Sequence, residues 1–233
     1  LMRILYLIPA RGGSKGLLKK NIKLLNDKPL LHYSIDFARK FTTDKNICLS
    51  TDDNEIIDCA KEINLEVNFI RPKHLASDTA NTNDVINHAI KYYESKGIIY
   101  DLLILLQPTT PFRKKEHLVE MIDSWKNNLE LLVSVKEPHD SPYFNLFEEN
   151  DTGELVKVKN SAISRRQDAP KVYAYNGSIY IFNIKSLESK RISEFKRIKK
   201  YLMDNPIYSV DIDTHFDWLI AETIINNKLL WKL

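Results

Sequence analysis

The densest chemistry in the chain lies near its start. Pro9-Ala10-Arg11-Gly12-Gly13-Ser14-Lys15-Gly16, continued by Leu17 to Asn21, holds three glycines and four basic residues, Arg11, Lys15, Lys19 and Lys20. Glycines let backbone N–H groups approach an anion and lysine or arginine adds charge, so such a stretch suits a phosphate chain. Its spacing matches neither a Walker A loop nor the dinucleotide fingerprint. A solvated basic turn is the plainer reading. A second candidate is Asp211-Ile212-Asp213-Thr214. Residues two apart in an extended segment point the same way, and paired carboxylates beside phosphate suit Mg²⁺. Taken alone, the segment reads as a helix cap at Asp213 or Thr214; taken with the basic loop, the metal is favoured. Arg165-Arg166-Gln167-Asp168 is either a solvated charged loop or a place where an arginine grips a carboxylate with both nitrogens. The six histidines show no ligand spacing and read as surface or satisfied side chains, and no Ser/His/Asp arrangement can be argued.

These residues need elements to position them. Ile4 to Ile8 has the length and bounded ends of a buried strand, and Leu30, Leu31, Ser34, Ile35 and Ala38 recur at helical spacing after the loop. Strands are expected at Ile47–Thr51, Glu66–Ile70, Leu102–Leu106 and Leu131–Val135, the third continuously apolar as a central parallel strand should be. Helices are expected over about 54–63, 115–127 and 216–226, with another capped by Thr82 or Asn83. This alternation predicts an α/β fold with a doubly wound, mostly parallel sheet. In such sheets ligands bind beyond the C-terminal strand ends. The Gly-rich loop, Asp52-Asp53, Arg71 to Ala80 and Gln107 to Arg113 fall on that edge. From about 136 to 170 the alternation stops among turn residues, and we expect a hairpin-bearing excursion within one domain spanning 1–233. Val172–Tyr175 and Ser178–Phe182 are expected as strands around Asn176-Gly177, the basic stretch 185–204 as partly helical, and Ile207–Val210 as a last strand.

With 43% hydrophobic and 28% charged residues among 233, the chain suits one α/β domain. A net charge of +3 gives no reason to expect nucleic acid or a membrane as partner. Cys48 and Cys59 have no metal spacing and argue for a reducing, cytoplasmic setting. No apolar run approaches a membrane span and no secretory leader is visible. Leu1, ahead of Met2, is set aside from the fold argument.

The chain resembles the acylneuraminate cytidylyltransferases, or CMP-sialic acid synthetases. The matching pieces run in order: the Pro9–Gly16 loop, Lys20-Asn21, Ser50-Thr51-Asp52, Arg71-Pro72, Leu75 to Ala80, Leu106 to Pro111, Arg166-Gln167-Asp168, Asn176 to Tyr180, and Asp211 to Thr214. The resemblance implies a nucleotidyltransferase core, CTP, Mg²⁺, and a free nine-carbon 2-keto-3-deoxy acid (a nonulosonic acid) as acceptor. It also implies a homodimer whose excursion reaches over the partner's site. Carried over, Arg11, Ser14 and Lys20 belong to the triphosphate, Asn21, Arg71, Ala80 and Thr82 to the cytidine, and Ala10 and Gly12 to the nucleotide at large. Gln107, Arg166 and Tyr180 belong to the sugar, and Asp211 and Asp213 to the metal, with Arg11, Lys20 and both aspartates carrying catalysis. Many members have a proline where Leu18 stands, and many bacterial ones Arg-Pro where this chain has Ala174-Tyr175. The second departure touches the sugar end and leaves N-acetylneuraminate, its deaminated analogue and legionaminate-type acids open. A transferase for the eight-carbon acid KDO and a non-catalytic nucleotide-binding relative are the alternatives. The Gly-Gly-Ser-Lys-Gly run speaks against the first, and the intact loop with both late aspartates against the second.

Overall fold

The computed structural model describes residues 2–163 and 165–229, with Arg166 described in its backbone alone; Leu1 lies outside the described residues. Strand β1 (Ile4–Pro9) leads through the Gly-rich loop to a small hairpin, β2 (Leu24–Leu25) and β3 (Lys28–Pro29), turned by Asn26 and Asp27 at positive φ. Helix α1 (Leu30–Arg39), β4 (Ile47–Ser50), α2 (Asn54–Lys61), α3 (Thr82–Ser95), β5 (Leu102–Leu106), α4 (Lys115–Asp123) and β6 (Leu131–Lys136) follow. The chain then leaves the sheet for the hairpin β7 (Phe147–Glu149) and β8 (Leu155–Lys157). It returns as β9 (Ala174–Asn183), and ends with α5 (Ile184–Ser189), β10 (Ile198–Leu202) and α6 (His215–Asn226).

Six strands form one sheet in the order β10-β6-β9-β5-β1-β4. β4, β1 and β5 are mutually parallel, as are β6 and β10, while β9 runs antiparallel between β5 and β6. The alternation of side chains splits the core between the two faces. Tyr6 and Ile8 of β1 and Ile104 of β5 join the cluster built on α1, α4 and α6, with Trp218 fully enclosed. Leu5, Leu7, Leu103 and Leu105 join the one built on α3 and α5. Every residue of β5 is buried, which is why the run is apolar without alternation. The chain goes from β1 to β4 on one side and later to β5 on the other. The crevice at the ends of β1 and β5 is therefore a topological switch point, where open α/β sheets bind ligands. No helix among the described residues is long and apolar enough to cross a membrane.

Four local expectations are corrected. Glu66–Ile70 is not a strand: its end makes an isolated bridge from Ile70 to Thr51, just past β4, and its middle is held by Asn68 donating to the Tyr93 hydroxyl at 2.9 Å. The α3 cap is Asn81, whose side chain accepts the N–H of Asn83 at 2.8 Å, not Thr82 or Asn83. The Asn176-Gly177 pair does not separate two strands. Gly177 takes φ +75° inside the continuous β9, where the register against β6 shifts, so a bulge absorbs the pair. The stretch 185–204 is helical in part, as expected, through α5, and β10 follows as a lysine-bearing edge strand whose charges mask its pattern. Ile207–Val210 is a 3₁₀ turn (Pro206–Ser209) begun by Pro206 and capped by Asn205.

The buried carboxylate of Glu130 ties the start of β6 to the segment before β10. It accepts the N–H groups of Lys196 and Arg197, both at 2.8 Å, and the Lys190 ammonium at 2.6 Å. The lysine first, then the two backbone donors, hold its pKa down from 4.5 to about 2. A depressed folded-state pKa means stabilisation present above about 4.5 and lost as pH falls toward 2. Glu130→Gln is therefore expected to melt below the parent near neutral pH, with the gap closing over that acid window. A gap independent of pH would contradict this role.

Candidate active site

At the switch point lies a cleft of about 550 Å³, bounded by the Gly-rich loop, the turn after β5, the segment before α3 and the stretch ahead of α6. Close approach explains two of the loop glycines. A Cβ on Gly12 would stand 2.2 Å from Asp53 Oδ2, and one on Gly16 would stand 2.3 Å from the Asp213 carbonyl oxygen. The Gly12 N–H donates to Asp52 Oδ1 at 3.1 Å, and buried Asn21 donates to the Arg11 carbonyl at 3.0 Å, so the loop is held from both flanks.

The loop cations are all met by carboxylates. Arg11 Nη1 and Lys15 Nζ grip the two oxygens of Asp78 at 2.8 and 2.5 Å, and these contacts hold the Asp78 carboxyl below its usual range. Lys20 reaches across the cleft to Asp213 Oδ1 at 2.5 Å and to the Ile212 carbonyl at 3.1 Å. Thr214 is the N-cap of α6, its hydroxyl accepting the N–H of Asp217, so the Asp213 side chain is not engaged in capping. Asp211 opens onto the same cleft. Crowding by protein raises its pKa, the Thr109 hydroxyl opposes this, and the charge of Asp213 adds to it. Two carboxylates within electrostatic reach of each other, one of them bonded to the Thr109 hydroxyl, make an all-oxygen donor set of the kind Mg²⁺ takes.

Of the residues assigned to cytidine, Arg71 is buried, its Nε donating to Ser50 Oγ at 3.0 Å and a second nitrogen to the Ser50 carbonyl. Burial brings its pKa down to about 10. Ala80 and Thr82 border the cleft beside Val85 and Ile86. Gln107 borders it at the end of β5. Tyr180 lies behind, in contact with the Gln107 side chain, its pKa raised to about 12 by burial. Ser14 lines the cleft, whereas Ala10 is buried beneath it with its N–H on the Ser50 carbonyl, and Gly12 faces Asp53. Arg166 sits in a turn at 166–168 of the excursion, and its side chain lies outside the described residues.

Read from the sequence, Asp78 and Arg113 have no role, and Lys15 figures only as one cation of the basic loop. Asp78 pairs with Arg11 and Lys15 from a distant part of the chain, and Arg113 joins the distant Ser34 and Ser178 to the nearby Gln107 and Thr110. The helix pair α1–α2 holds the one His/Cys/acid group among the described residues with metal-compatible separations, His32, Cys59 and Glu62. His32 Nε2 is already on the Cys59 carbonyl at 2.8 Å, so His32 is satisfied by the fold.

The sequence profile of a family described as cytidylyltransferase matches residues 5–229. Similar proteins include a post-translational flagellin modification protein B from Campylobacter coli, 35% identical over 99% of this chain and 98% of its own length. Another is the CMP-N,N'-diacetyllegionaminic acid synthase of Legionella pneumophila, 32% identical over 96% of this chain and 97% of its own. Among solved structures, a CMP:2-keto-3-deoxy-manno-octonic acid synthetase complexed with CTP superposes with TM-score 0.66. It is 15% identical and covers 97% of this chain and 99% of its own, a likeness of fold.

Asp78 occupies Arg11 and Lys15 where a polyanion would bind. Asp78→Asn is expected to bind inorganic tripolyphosphate roughly threefold more tightly, a modest gain in line with exposed ion pairs. Isothermal titration reads it, and weaker binding by the variant would show that Asp78 shapes the loop rather than competing for it.

Proposed function

The chain belongs to the cytidylyltransferase family, and from that membership we propose that it transfers CMP from CTP to the anomeric hydroxyl of a nine-carbon 2-keto-3-deoxy sugar acid. The anomeric oxygen bonds to the α-phosphorus as the bridge to the β-phosphate breaks. The bond electrons leave with pyrophosphate, and the hydroxyl proton passes to water. The supporting observation is one cleft with cations on one wall, paired carboxylates opposite, and Gln107 and Tyr180 beyond them. Arg11, Ser14, Lys15 and Lys20 hold the triphosphate, whose oxygens replace Asp78 and Asp213 as partners of the cations. Asn21, Arg71, Ala80 and Thr82 form the cytidine end.

With substrates aligned, catalysis of this transfer rests on position and charge. The loop cations stabilise pyrophosphate as its charge grows. Asp211 and Asp213 would hold Mg²⁺, which supplies neutralisation of phosphate charge and a lower hydroxyl pKa. Legionaminate-type acids head the acceptors to test because a relative matched along nearly its whole length is named for one.

The excursion carries a second part of this reading. Phe147, Leu155 and Val156 are 45%, 69% and 44% exposed on β7 and β8, an apolar hairpin with no cover from its own sheet. A second copy of the chain is the proposed cover, bringing Arg166 to the neighbouring site.

Incubation with CTP, Mg²⁺ and a panel of acids is expected to release pyrophosphate and yield a CMP-sugar by mass. The panel comprises legionaminate-type acids, N-acetylneuraminate, its deaminated analogue and KDO. Release with KDO alone, or with none, would overturn the nine-carbon assignment. In the same assay Asp213→Asn should melt near the parent, lose at least about tenfold in rate, and need more Mg²⁺ for half its own maximum; an unchanged Mg²⁺ requirement would remove the pair from metal binding. Lys20→Ala and Arg166→Ala proteins, each impaired, are expected to regain activity when mixed under subunit exchange. No recovery, or a fully active monomer, counts against the shared site.

A further inference from the structure

Arg113 lies just past the turn that ends β5, outside the cleft lining, and it is the most heavily bonded cation in this part of the molecule. Its Nη2 donates to the Gln107 carbonyl at 2.6 Å, Thr110 Oγ1 at 2.9 Å and the Ser178 carbonyl at 3.0 Å. Nε donates to the same Ser178 carbonyl at 3.1 Å, and Nη1 to Ser34 Oγ at 3.1 Å. Every acceptor is neutral, and among the described residues Arg113 forms no ion pair. Three separate pieces meet on one planar group: α1, the turn after β5, and β9. Thr110 adds a bond of its own to the Gly177 carbonyl at 3.0 Å, at the bulge of β9.

The pieces so joined carry the acceptor end of the cleft. Gln107 and Thr109 line it, Tyr180 follows Ser178 on β9 and touches the Gln107 side chain, and the Ile212 N–H between the two aspartates donates to the Thr109 carbonyl at 2.8 Å. The nucleotide end is held by other bonds, Asn21 to the Arg11 carbonyl and Arg71 to Ser50, none of which involves Arg113. Burial lowers the Arg113 pKa to about 9, while the field of Asp211 opposes the fall; the guanidinium stays charged at neutral pH. A charged group held in a partly buried place on neutral oxygens gives up hydration without gaining an ion pair, so packing alone is a poor reason for an arginine here.

We infer that Arg113 is a positioning residue for the acceptor half of the site, clamping the Gln107–Thr110 turn to β9 and so setting how Gln107, Thr109 and Tyr180 meet the sugar acid. This rests on the proposed acceptor chemistry. Lysine keeps the charge but replaces the planar fork with one compact ammonium, so the substitution separates charge from geometry.

The test is Arg113→Lys, with Thr110→Val as a second variant that removes one arm of the clamp and leaves the guanidinium in place. For Arg113→Lys the KM for the acid the parent uses is expected to rise about tenfold or more, while the Kd for CTP stays within about twofold. Thr110→Val should move the same way by less. Hydrogen–deuterium exchange is expected to quicken at 107–110 and 177–178 and to stay unchanged at 11–21. If the parent uses no sugar acid, the acceptor reading fails, and the exchange pattern still decides whether Arg113 holds the turn. Equal loss of affinity for both substrates, a lower melting temperature with unchanged KM values, or exchange that is unaltered or raised throughout would each overturn the inference. Should Arg113→Lys not fold, Thr110→Val decides on the same readouts.

Discussion

Burial of β5 on both faces is the constraint from which the site follows. A strand of Leu102, Leu103, Ile104, Leu105 and Leu106 packed under helices on either side offers no side chain for chemistry. Polar groups must wait until the strand ends, at Gln107. β1 lies in parallel register with β5 and has the same limit, so its chemistry begins at Arg11, one residue past Ala10. Because the chain departs from β1 first toward β4 and later returns on the other side at β5, the two polar ends diverge and leave room between them. The cleft is a consequence of strand order before it is a consequence of any binding residue.

Charge matching then closes the ring. Lys20 and Asp213 are 193 residues apart in sequence and 2.5 Å apart in space, and the Gly16 backbone lies so near the Asp213 carbonyl that a methyl group would not fit. The basic loop and the segment ahead of α6 are thus interlocked, which keeps cations and carboxylates facing one another without neutralising each other in the core. The Lys20 side chain is largely enclosed, 13% exposed, while the Asp213 carboxylate stays open to the cleft. The Arg11–Asp78–Lys15 contacts match charges on the other wall.

Much of this was legible in the residues. The apolar runs at Ile4–Ile8 and Leu102–Leu106 carry short-range signals and form β1 and β5, and the glycines between Arg11 and Lys20 lie in the loop that follows β1; Asp211 and Asp213 follow a 3₁₀ turn rather than the strand expected there. The losses have physical causes. Glu66–Ile70 alternates like a strand, yet one bridge and one side-chain bond to Tyr93 hold it outside the sheet. Asn176-Gly177 reads as a turn, yet a positive φ can be absorbed by a bulge when Ser134 takes up the Asn176 side chain at 2.6 Å. Asp78 and Arg113 act through partners brought in by tertiary structure, and no local pattern announces them. Thr214 takes the capping role in full and leaves Asp213 to the cleft, a distinction the tetrapeptide alone does not make.

The central claim is that the anomeric oxygen of a sugar acid becomes the bridge to the α-phosphorus of CMP in this cleft. The most direct measurement labels that oxygen with the heavy isotope and follows the product by phosphorus NMR. The label is expected to remain in the CMP-sugar and to shift the single phosphorus resonance, with no label in pyrophosphate. Unlabelled CMP released by water, or a product whose phosphorus carries no isotope shift because another oxygen of the acid has attacked, would contradict it.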